Sequence, residues 1–532
     1  MESLDDTRIS VKWQAILLGL ILASCFAVRL WTIGAPAVDR TAWKEIDYIY
    51  ISQNYWKHGF QFLYPEIGWP AEPPRYTAME LPLAPYLAAC LYAVRGFDAF
   101  SVRFVPLVAY LITTFYVFLL ARREVGAPVG LLAALVAAVL PLHHYFGRFL
   151  QSEPLVLATS VMCLYHFVRW HDTGGRRHWL TAWAGFSLAI SLKLTPLYLV
   201  LPLAHAAVRH DGRSAKAACS VAIFVGASLL LPLAWYGWAH HLAHAYLDIF
   251  GIFGGKAGGH DKFQTFTMLS SLDWHYTIAA RVYRLLGGTA GVALALIGMI
   301  TAARARIGGL FWSYLAAIVL YTIIVAEGHL DAPYRQLTLV PPTSVFLAIG
   351  AVRIASWLAA MVRGLWPHTH PNSVWPGSLF LPAACLILII PVVHYPRIFR
   401  APQKPCHRGE WQFAQTIRRQ CNPGSKLITV GEYTIHKGGN DLSPVLYYYA
   451  GLPGWTLQRG QWDTGLVEEL IRRGATHLAA THLGREPEAL PFIEEMGSTY
   501  RVLYERKGRL LIQLPPTVTP RCATRVVPAE ES

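Results

Sequence analysis

Apolar segments separated by short polar loops alternate along the first four hundred residues. Crossing a bilayer takes about 20 apolar residues in a helix, so these segments predict membrane-spanning helices. The shorter segment 81–94 is better read as a helix in the outer membrane interface. We predict eleven spanning helices, at about 15–33, 101–121, 128–146, 154–170, 180–192, 195–208, 216–236, 288–303, 310–326, 337–356 and 378–395.

The pattern changes near residue 397, where short amphipathic helices alternate with short apolar strands. "GEWQFAQTIRRQ" predicts a helix, "KLITV" a strand, and "YRVLYE" with "RLLIQL" a closing hairpin. The predicted fold is therefore an all-α polytopic membrane protein with a small C-terminal α/β domain. We place the transmembrane domain at 1–396, with an outer loop at 34–100 containing interfacial helices, and the extracytoplasmic domain and tail at 397–532.

Composition and charge agree with a membrane location. The chain is 54% hydrophobic and 15% charged, where soluble proteins carry about 25% charged residues. The net charge of +14 comes largely from arginines and lysines at the ends of apolar segments, which mark cytoplasmic loops rather than a nucleic-acid surface. This asymmetry places the amino terminus inside and the C-terminal domain outside. In that oxidising location Cys406 and Cys421 are predicted to form a disulfide.

Acidic residues recur where outer loops meet helices. Glu45 and Asp47 follow the first apolar segment, and being two residues apart they point to different helix faces, so only one is expected to be central. A solvated loop helix is the alternative reading of that stretch. Glu80 and Glu153 each suit the start of a helix, where the dipole favours an acid. Together, acids at three outer helix starts indicate a site that uses carboxylates.

Cations are predicted at the same membrane depth. Lys193 stands between two apolar pieces, and it either snorkels to the interface or holds an anionic phosphate; the same two readings apply to Arg335. We expect substrate binding by Lys193, Arg335, Arg148, Tyr334 and His329.

The sequence shows no clear motif for binding a metal or a nucleotide. No Asp-x-Asp lies between Asp39 and Asp47, and no phosphate loop or dinucleotide fingerprint is present, so neither a metal nor a cofactor is expected. His240 and His244 stand one helical turn apart, a spacing that suits a metal pair, although hydrogen bonding at the interface suits it better.

Five stretches follow one another along the chain: "WKEIDYIYISQNYWKHGFQFLYPEIGW", "ELPLAPYLAACLYAVRG", "RFVPLVAYLITTFYVFLLARREVG", "PLHHYFGRFLQSEPL" and "SLKLTPLYLVLPL". In this order they resemble the integral-membrane glycosyltransferases of the GT-C fold class. More narrowly, they are similar to bacterial relatives of the protein O-mannosyltransferases and the lipid A aminoarabinose transferases. The resemblance covers roughly 15–350 well and the C-terminal part weakly.

The resemblance implies transfer of a sugar from a polyprenyl-phosphate donor to a lipid, glycan or protein acceptor. The reaction would take place on the outer, periplasmic face of the bacterial plasma membrane, with no cofactor beyond the lipid-linked sugar. It implies Asp47 as the leading catalytic acid and Glu45 as the alternate, with Glu80 and Glu153 matching the acids of the interfacial helix and second loop. Lys193 and Arg335 become candidates for the lipid phosphate.

One position departs from the resemblance, and one other function stays open. In the aminoarabinose branch a lysine follows the acid of the interfacial helix, whereas here Leu81 follows Glu80. A transporter or flippase of lipid-linked sugars is the alternative function, because it would use similar interfacial charges. Transporters usually carry inverted repeats and ionisable groups at mid-membrane, and neither is visible in this sequence.

Overall fold

The structure is a computed structural model, and it divides the chain into two compact units. It describes residues 9–39, 41–246, 263–365, 382, 384–388, 406–430, 444–457, 460–481 and 487–515. The first unit comprises Met1–Glu66 and Tyr76–Pro405, and the second comprises Ile67–Arg75 and Cys406–Ser532.

Helices make up the first unit. They are α1 Val11–Thr32, α2 Ala42–His58, α3 Leu83–Arg95, α4 Ala99–Glu124, α5 Ala127–Val139, α6 Pro141–Phe146, α7 Ser152–Thr173, α8 Arg176–Leu192, α9 Val200–Asp211, α10 Ala215–Ser228, α11 Leu230–Ala245, α12 Thr265–Leu269, α13 Leu272–Leu285, α14 Thr289–Ala305, α15 Gly309–Ile324, α16 Ala326–Asp331 and α17 Val340–Leu365. Two 3-10 helices, Thr195–Leu199 and Pro333–Leu339, precede α9 and α17.

Four stretches of helix in the described residues are long and apolar enough to cross a membrane: Val11–Leu30, Ala99–Glu124, Ala215–Ala245 and Pro333–Met361. A fifth span arises if α13 and α14, which meet at 85°, are one broken helix. The predicted count of eleven is not confirmed by this test and stays a prediction. The predicted eleventh helix lies mostly outside the described residues.

The core of the first unit is the apolar packing of α4, α5, α7, α8, α9, α15 and α17. Small residues allow the closest backbone approach. A Cβ on Gly298 of α14 would stand 1.8 Å from the carbonyl oxygen of Phe346 in α17, and one on Gly350 would stand 2.1 Å from that of Leu294. Small residues at helix contacts are typical of membrane bundles, because dispersion replaces the hydrophobic effect there.

Prolines accompany two interruptions of the helices. The predicted break at "SLKLTP" is present: α8 ends at Leu192, and Lys193 has an extended backbone. Pro196 has no backbone N–H to continue the ladder, so a 3-10 helix follows. The predicted helix 128–146 is two helices, since α5 ends before Leu140 and Pro141 begins α6.

The second unit contains a five-stranded sheet covered by helices. Strands β1 Leu427–Val430, β2 Gly454–Thr456, β3 His477–Ala480, β4 Arg501–Arg506 and β5 Arg509–Gln513 lie in the order β2-β1-β3-β5-β4. Strand β1 is parallel to β2 and β3, whereas β5 is antiparallel to β3 and β4. The helices are α18 Arg408–Gln420, α19 Val445–Ala450, α20 Thr464–Arg472 and α21 Leu490–Thr499, with a 3-10 turn at Pro487–Ala489.

Residues 67–75 of the predicted outer loop join this second unit. Gly454 donates its N–H to the carbonyl of Trp69 at 2.8 Å, and Ala71 donates to the carbonyl of Gly454 at 2.9 Å. Trp69 also stacks on Tyr447, with ring centroids 5.7 Å apart. These bonds add a short strand-like edge beside β2, a non-local pairing that the sequence pattern did not reveal.

The predicted Cys406–Cys421 disulfide is wrong. Both cysteines are free, Cys406 exposed and Cys421 buried. Helix α18 lies between them, and a helix of that length separates its ends by roughly 20 Å. A disulfide requires α-carbons within about 7 Å. Burial also raises the pKa of the Cys421 thiol to about 11, which keeps it protonated and unreactive.

Candidate functional site

Helix α2 positions the first members of the site. It ends at Gly59, whose positive φ of 94° allows a left-handed cap with the N–H bonded to the Tyr55 carbonyl. Lys44 and Tyr48 are one turn apart on the same face. The Tyr48 hydroxyl lies 2.8 Å from Ser152 Oγ and donates to Glu80 Oε2 at 3.4 Å.

Two lysines converge on one carboxylate oxygen. Glu153, in the first turn of α7, accepts hydrogen bonds at Oε1 from Lys44 Nζ at 2.7 Å and Lys193 Nζ at 2.5 Å. The extended backbone of Lys193 after α8 places its ammonium at this point. All three side chains are almost entirely buried, and Glu153 Oε2 has no hydrogen-bond partner within the described residues.

Tyr334 and Arg335 complete this cluster. Both lysine nitrogens lie over the Tyr334 ring, at 4.4 Å and 4.6 Å from its centroid, which is cation–π geometry. Arg335 donates from Nη1 to the Tyr321 hydroxyl at 3.2 Å. Its Nε is buried and has no hydrogen-bond partner in the described part of the chain.

The cluster lines a narrow cavity with surplus positive charge. Glu153, Lys193, Tyr334 and Arg335 line it together with Tyr198 and Tyr321. Its volume is about 20 Å³, enough for roughly one water molecule, so a larger ligand requires it to open. Burial works against the charge on Lys44, but Glu153, Tyr334, Tyr48 and Glu80 together outweigh it and raise the pKa of Lys44 well above its usual value. Among the residues that line this cavity, Lys193 and Arg335 thus face one carboxylate, that of Glu153, and Lys44 reaches the same carboxylate from α2.

The two acids of α2 lie in different surroundings. Glu45 is fully buried and accepts from Arg103 Nε at 3.2 Å and Nη2 at 3.4 Å. Arg103 also donates to the carbonyls of Ile33 and Ala35. Asp47 is buried and lies three residues after Lys44, on the side of α2 that faces away from Glu45.

Arg148 and His329 lie outside the cavity lining. Arg148 donates to Asp39 Oδ2 at 2.7 Å, yet burial and the nearby charge of Glu45 raise the pKa of Asp39 to about 7. His329 Nδ1 lies 3.1 Å from Gln336 Nε2, and its ring centroid is 4.6 Å from that of Tyr321, which does line the cavity. Burial, aided by the charge of Arg335, lowers the pKa of His329 to about 3, so the ring is neutral near pH 7.

Sequence reasoning missed Lys44, which contacts Glu153 directly. Its four-residue spacing from Tyr48 was visible, but nothing local showed that this face of α2 meets the start of α7. Tyr198 and Tyr321 were missed as well, because tyrosines in apolar helices are ordinarily packing or interface residues. The structure divides the predicted site residues into three groups. Four of them line one cavity: Glu153, Lys193, Tyr334 and Arg335. Glu80 connects to this group through Tyr48, and the remaining three, Glu45, Arg148 and His329, have hydrogen-bond partners outside it.

This arrangement of helices has the GT-C fold of integral-membrane glycosyltransferases. ArnT from Cupriavidus metallidurans bound to undecaprenyl phosphate aligns with a TM-score of 0.64 at 13% identity, covering 93% of this chain and 97% of that chain. The oligosaccharyltransferase AglB from Archaeoglobus fulgidus, in complex with an inhibitory peptide and a dolichol-phosphate, aligns at 0.54 and 12% identity, covering 96% and 75%. At such identities these similarities establish the fold.

Part of the chain also matches a family model at the level of sequence. The family model described as dolichyl-phosphate-mannose-protein mannosyltransferase matches residues 74–238, a range that includes Glu80, Glu153 and Lys193. No curated protein matches the chain. The resemblance drawn from the sequence motifs is therefore confirmed, and it supports a function of the glycosyltransferase type in a multi-pass membrane protein.

Proposed function

We propose that the protein is a glycosyltransferase that moves a sugar from a polyprenyl-phosphate donor to a lipid, glycan or protein acceptor. The reaction would take place at the outer face of the bacterial plasma membrane, with the second unit on that side. The observation that carries the proposal is the cluster of Lys44, Lys193 and Arg335 around Glu153. The undecaprenyl phosphate bound to ArnT and the dolichol-phosphate bound to AglB are ligands of the same chemistry.

The buried cations suit a phosphate better than they suit protein stability. Buried charges are costly unless paired, and here two lysines share one carboxylate oxygen in a cavity that Arg335 also lines. A phosphate monoester or diester would supply the missing negative charge and occupy the orphaned Arg335 Nε. The apolar polyprenyl chain would remain in the bilayer, so only the phosphate and the sugar need polar partners.

The chemical step assigns a role to each group. The acceptor's nucleophilic atom attacks the anomeric carbon, a new bond to that carbon forms, and the bond to the phosphate oxygen breaks. The electron pair leaves with the lipid phosphate, whose charge Lys44, Lys193 and Arg335 stabilise. The acceptor's proton passes to Asp47, the acid on the same side of α2 as Lys44.

Glu153 fits a positioning role in this scheme. Its Oε1 already accepts from two ammonium groups, which makes it a poor base for an acceptor proton. It orients both lysines against the face of the Tyr334 ring and partly balances their charge while no donor is bound. Glu80 forms no hydrogen bond with Glu153 and instead accepts from the Tyr48 hydroxyl.

The test is donor binding and turnover by purified protein in nanodiscs. Undecaprenyl phosphate binds, and a radiolabelled undecaprenyl-phosphate sugar is converted to free lipid phosphate when acceptor lipids or peptides are supplied. Replacing the buried lysine in Lys193→Met weakens lipid-phosphate binding by about 10- to 100-fold, since a charge-assisted contact is worth roughly 1.5–3 kcal/mol. The exposed Lys57 of α2 provides the matched control, Lys57→Met, which binds like the parent protein.

Two results would contradict the proposal. If Lys193→Met and Lys57→Met bind the lipid phosphate equally well, the cluster is not the phosphate site. If the protein in liposomes moves labelled donor between leaflets without ever releasing lipid phosphate, the protein is a flippase rather than a transferase.

A further inference from the structure

A second cluster of ionisable groups lies at the other end of α7. His171 is in the last turn of α7, and His210 and Asp211 end α9. One ligand atom from each of the three residues lies within 4.8 Å of the others. His171 is eighteen residues beyond Glu153 on one helix, which corresponds to roughly 27 Å. The cluster is therefore remote from the cavity assigned to the lipid phosphate.

The three side chains lie close to one another. Asp211 Oδ1 lies 3.2 Å from His210 Nδ1, and Asp211 Oδ2 lies 3.7 Å from His171 Nδ1. The two imidazole centroids are 5.3 Å apart. The His171 side chain is 7% exposed, and its Nε2 is buried with no hydrogen-bond partner anywhere in the described ranges. A buried nitrogen without a partner is costly in a purely structural cluster.

The composition of the cluster selects a class of ligand. Two imidazoles and one carboxylate are the donor set that Zn²⁺ takes with three protein ligands, leaving a fourth position for water. His171 and His210 also line a cavity of about 140 Å³, which has room for that water. Carboxylate-rich sites suit Mg²⁺ and Ca²⁺ instead, and imidazole favours the borderline transition metals.

A lysine competes with a metal ion for one of the three residues, Asp211. Lys216 Nζ lies 2.7 Å from Asp211 Oδ1 and neutralises it, but its side chain is 77% exposed and can turn into solvent. The other facing charges are already paired: Arg123 contacts Asp172, and Arg209 contacts Glu124. A divalent ion would thus displace one exposed ammonium and leave the neighbouring ion pairs in place.

We propose that His171, His210 and Asp211 form a binding site for a divalent transition metal of the Zn²⁺ class. The metal would tie the end of α7 to the turn between α9 and α10, with its fourth position open to the cavity. The site is independent of the glycosyltransferase proposal, because none of its ligands lines the lipid-phosphate cavity.

The experiment measures metal binding directly. The full-length protein is purified without a histidine tag, stripped with a chelator, dialysed against Zn²⁺ and analysed for metal content, and Co²⁺ substitution reports the geometry. We expect one Zn²⁺ per chain and the visible absorption of four-coordinate Co²⁺. His210→Ala and Asp211→Asn lower the affinity at least about tenfold. Lys216→Ala raises it severalfold, because the competing ammonium is gone.

A neighbouring histidine supplies the control. His205 lines the same cavity but is not one of the three ligands, so His205→Ala retains one Zn²⁺ per chain. His210 and Lys216 are largely exposed, so their variants should fold, and an unchanged gel-filtration profile verifies this. Equal Zn²⁺ content in the parent and His210→Ala proteins, or no effect of Lys216→Ala on the affinity, would overturn the proposal.

Discussion

Two buried ionic clusters meet the same helix, α2, through adjacent residues. Glu45 pairs with Arg103, and Lys44 joins Lys193 at Glu153. In the first cluster one guanidinium and one carboxylate balance, and Arg103 also donates to the Ile33 and Ala35 carbonyls at 2.6 and 2.5 Å. In the second, two lysines share one carboxylate oxygen, and Glu153 Oε2 and Arg335 Nε have no hydrogen-bond partner among the described residues.

The difference teaches how to separate a structural ion pair from a ligand site. Both clusters are buried, so burial alone does not distinguish them. A balanced, hydrogen-bonded pair has little capacity left for a ligand, whereas a cluster with surplus charge and unused donors is incomplete by itself. By this criterion the Glu45–Arg103 pair is structural and holds α2 against α4 and the segment after α1. The Glu153 cluster has the features of an anion-binding site.

The largest expected effect concerns turnover. Asp47→Asn should lower the rate of sugar transfer by about 10²- to 10⁴-fold, because the acceptor proton loses its base. Lipid-phosphate binding should change little, since the base acts only as the acceptor loses its proton. Single-turnover donor consumption in nanodiscs separates the two quantities. Normal transfer by Asp47→Asn would mean that this acid is not the base.

The next effect falls on the other cluster and should appear as lost stability. Glu45→Gln leaves Arg103 buried without its counter-charge, and breaking a buried pair typically costs about 3–5 kcal/mol. Because glutamine can still accept a hydrogen bond, we expect a loss near the lower end of that range. Denaturant unfolding in detergent measures it. Folded Glu45→Gln protein should bind lipid phosphate normally and transfer sugar.

This variant is the strictest test of the comparison between the clusters. If Glu45→Gln is as stable as the parent but inactive, then Glu45 is the catalytic acid and the distinction drawn from charge balance fails. Reporting activity per folded molecule is essential, because lost folding and lost chemistry look alike in a growth assay.

The parts of the fold that follow from local patterning could be predicted. Helix α3, the break at Lys193 and the C-terminal hairpin of β4 and β5 each follow from apolar period, proline or strand alternation. Lys193, Tyr334 and Arg335 could likewise be proposed as a group, because they stand in loops at one predicted membrane depth.

Contacts between distant segments could not be predicted. Lys44 reaches Glu153 across 109 residues, and Glu72 reaches Arg473 across 401. No local period specifies such pairings. The wrong disulfide was predicted from an oxidising location, and helix α18, which the sequence already predicted between the two cysteines, keeps them apart. The metal-type cluster also joins histidines of two helices, whereas the adjacent pair His240 and His244 was the visible motif.

The smallest expected loss of stability comes from breaking an exposed ion pair. Within the second unit, Arg473 donates from Nε to Glu72 Oε1 at 2.6 Å and from Nη2 to Oε2, in the bidentate arrangement that arginine favours. Both side chains are more than a third exposed. Solvent screens such pairs, so Glu72→Gln should lower local stability around residues 67–75 by no more than about 1 kcal/mol.

The dependence of that effect on pH has a definite sign. The hydrogen bond from Arg473 lowers the pKa of Glu72 below its usual 4.5. A carboxyl group with a lowered pKa stabilises the folded state above its unfolded pKa, and the contribution disappears as pH falls below about 4.5 and through the folded value. Hydrogen exchange at the backbone amide of Ala71 should therefore be faster in Glu72→Gln than in the parent protein at pH 7. The two proteins should converge at acid pH, and high salt should also narrow the difference. If the difference in exchange rate persists unchanged in acid and in high salt, Glu72 acts through packing rather than charge. If Glu72→Gln lowers stability as much as Glu45→Gln does, the contrast between buried and exposed ion pairs fails.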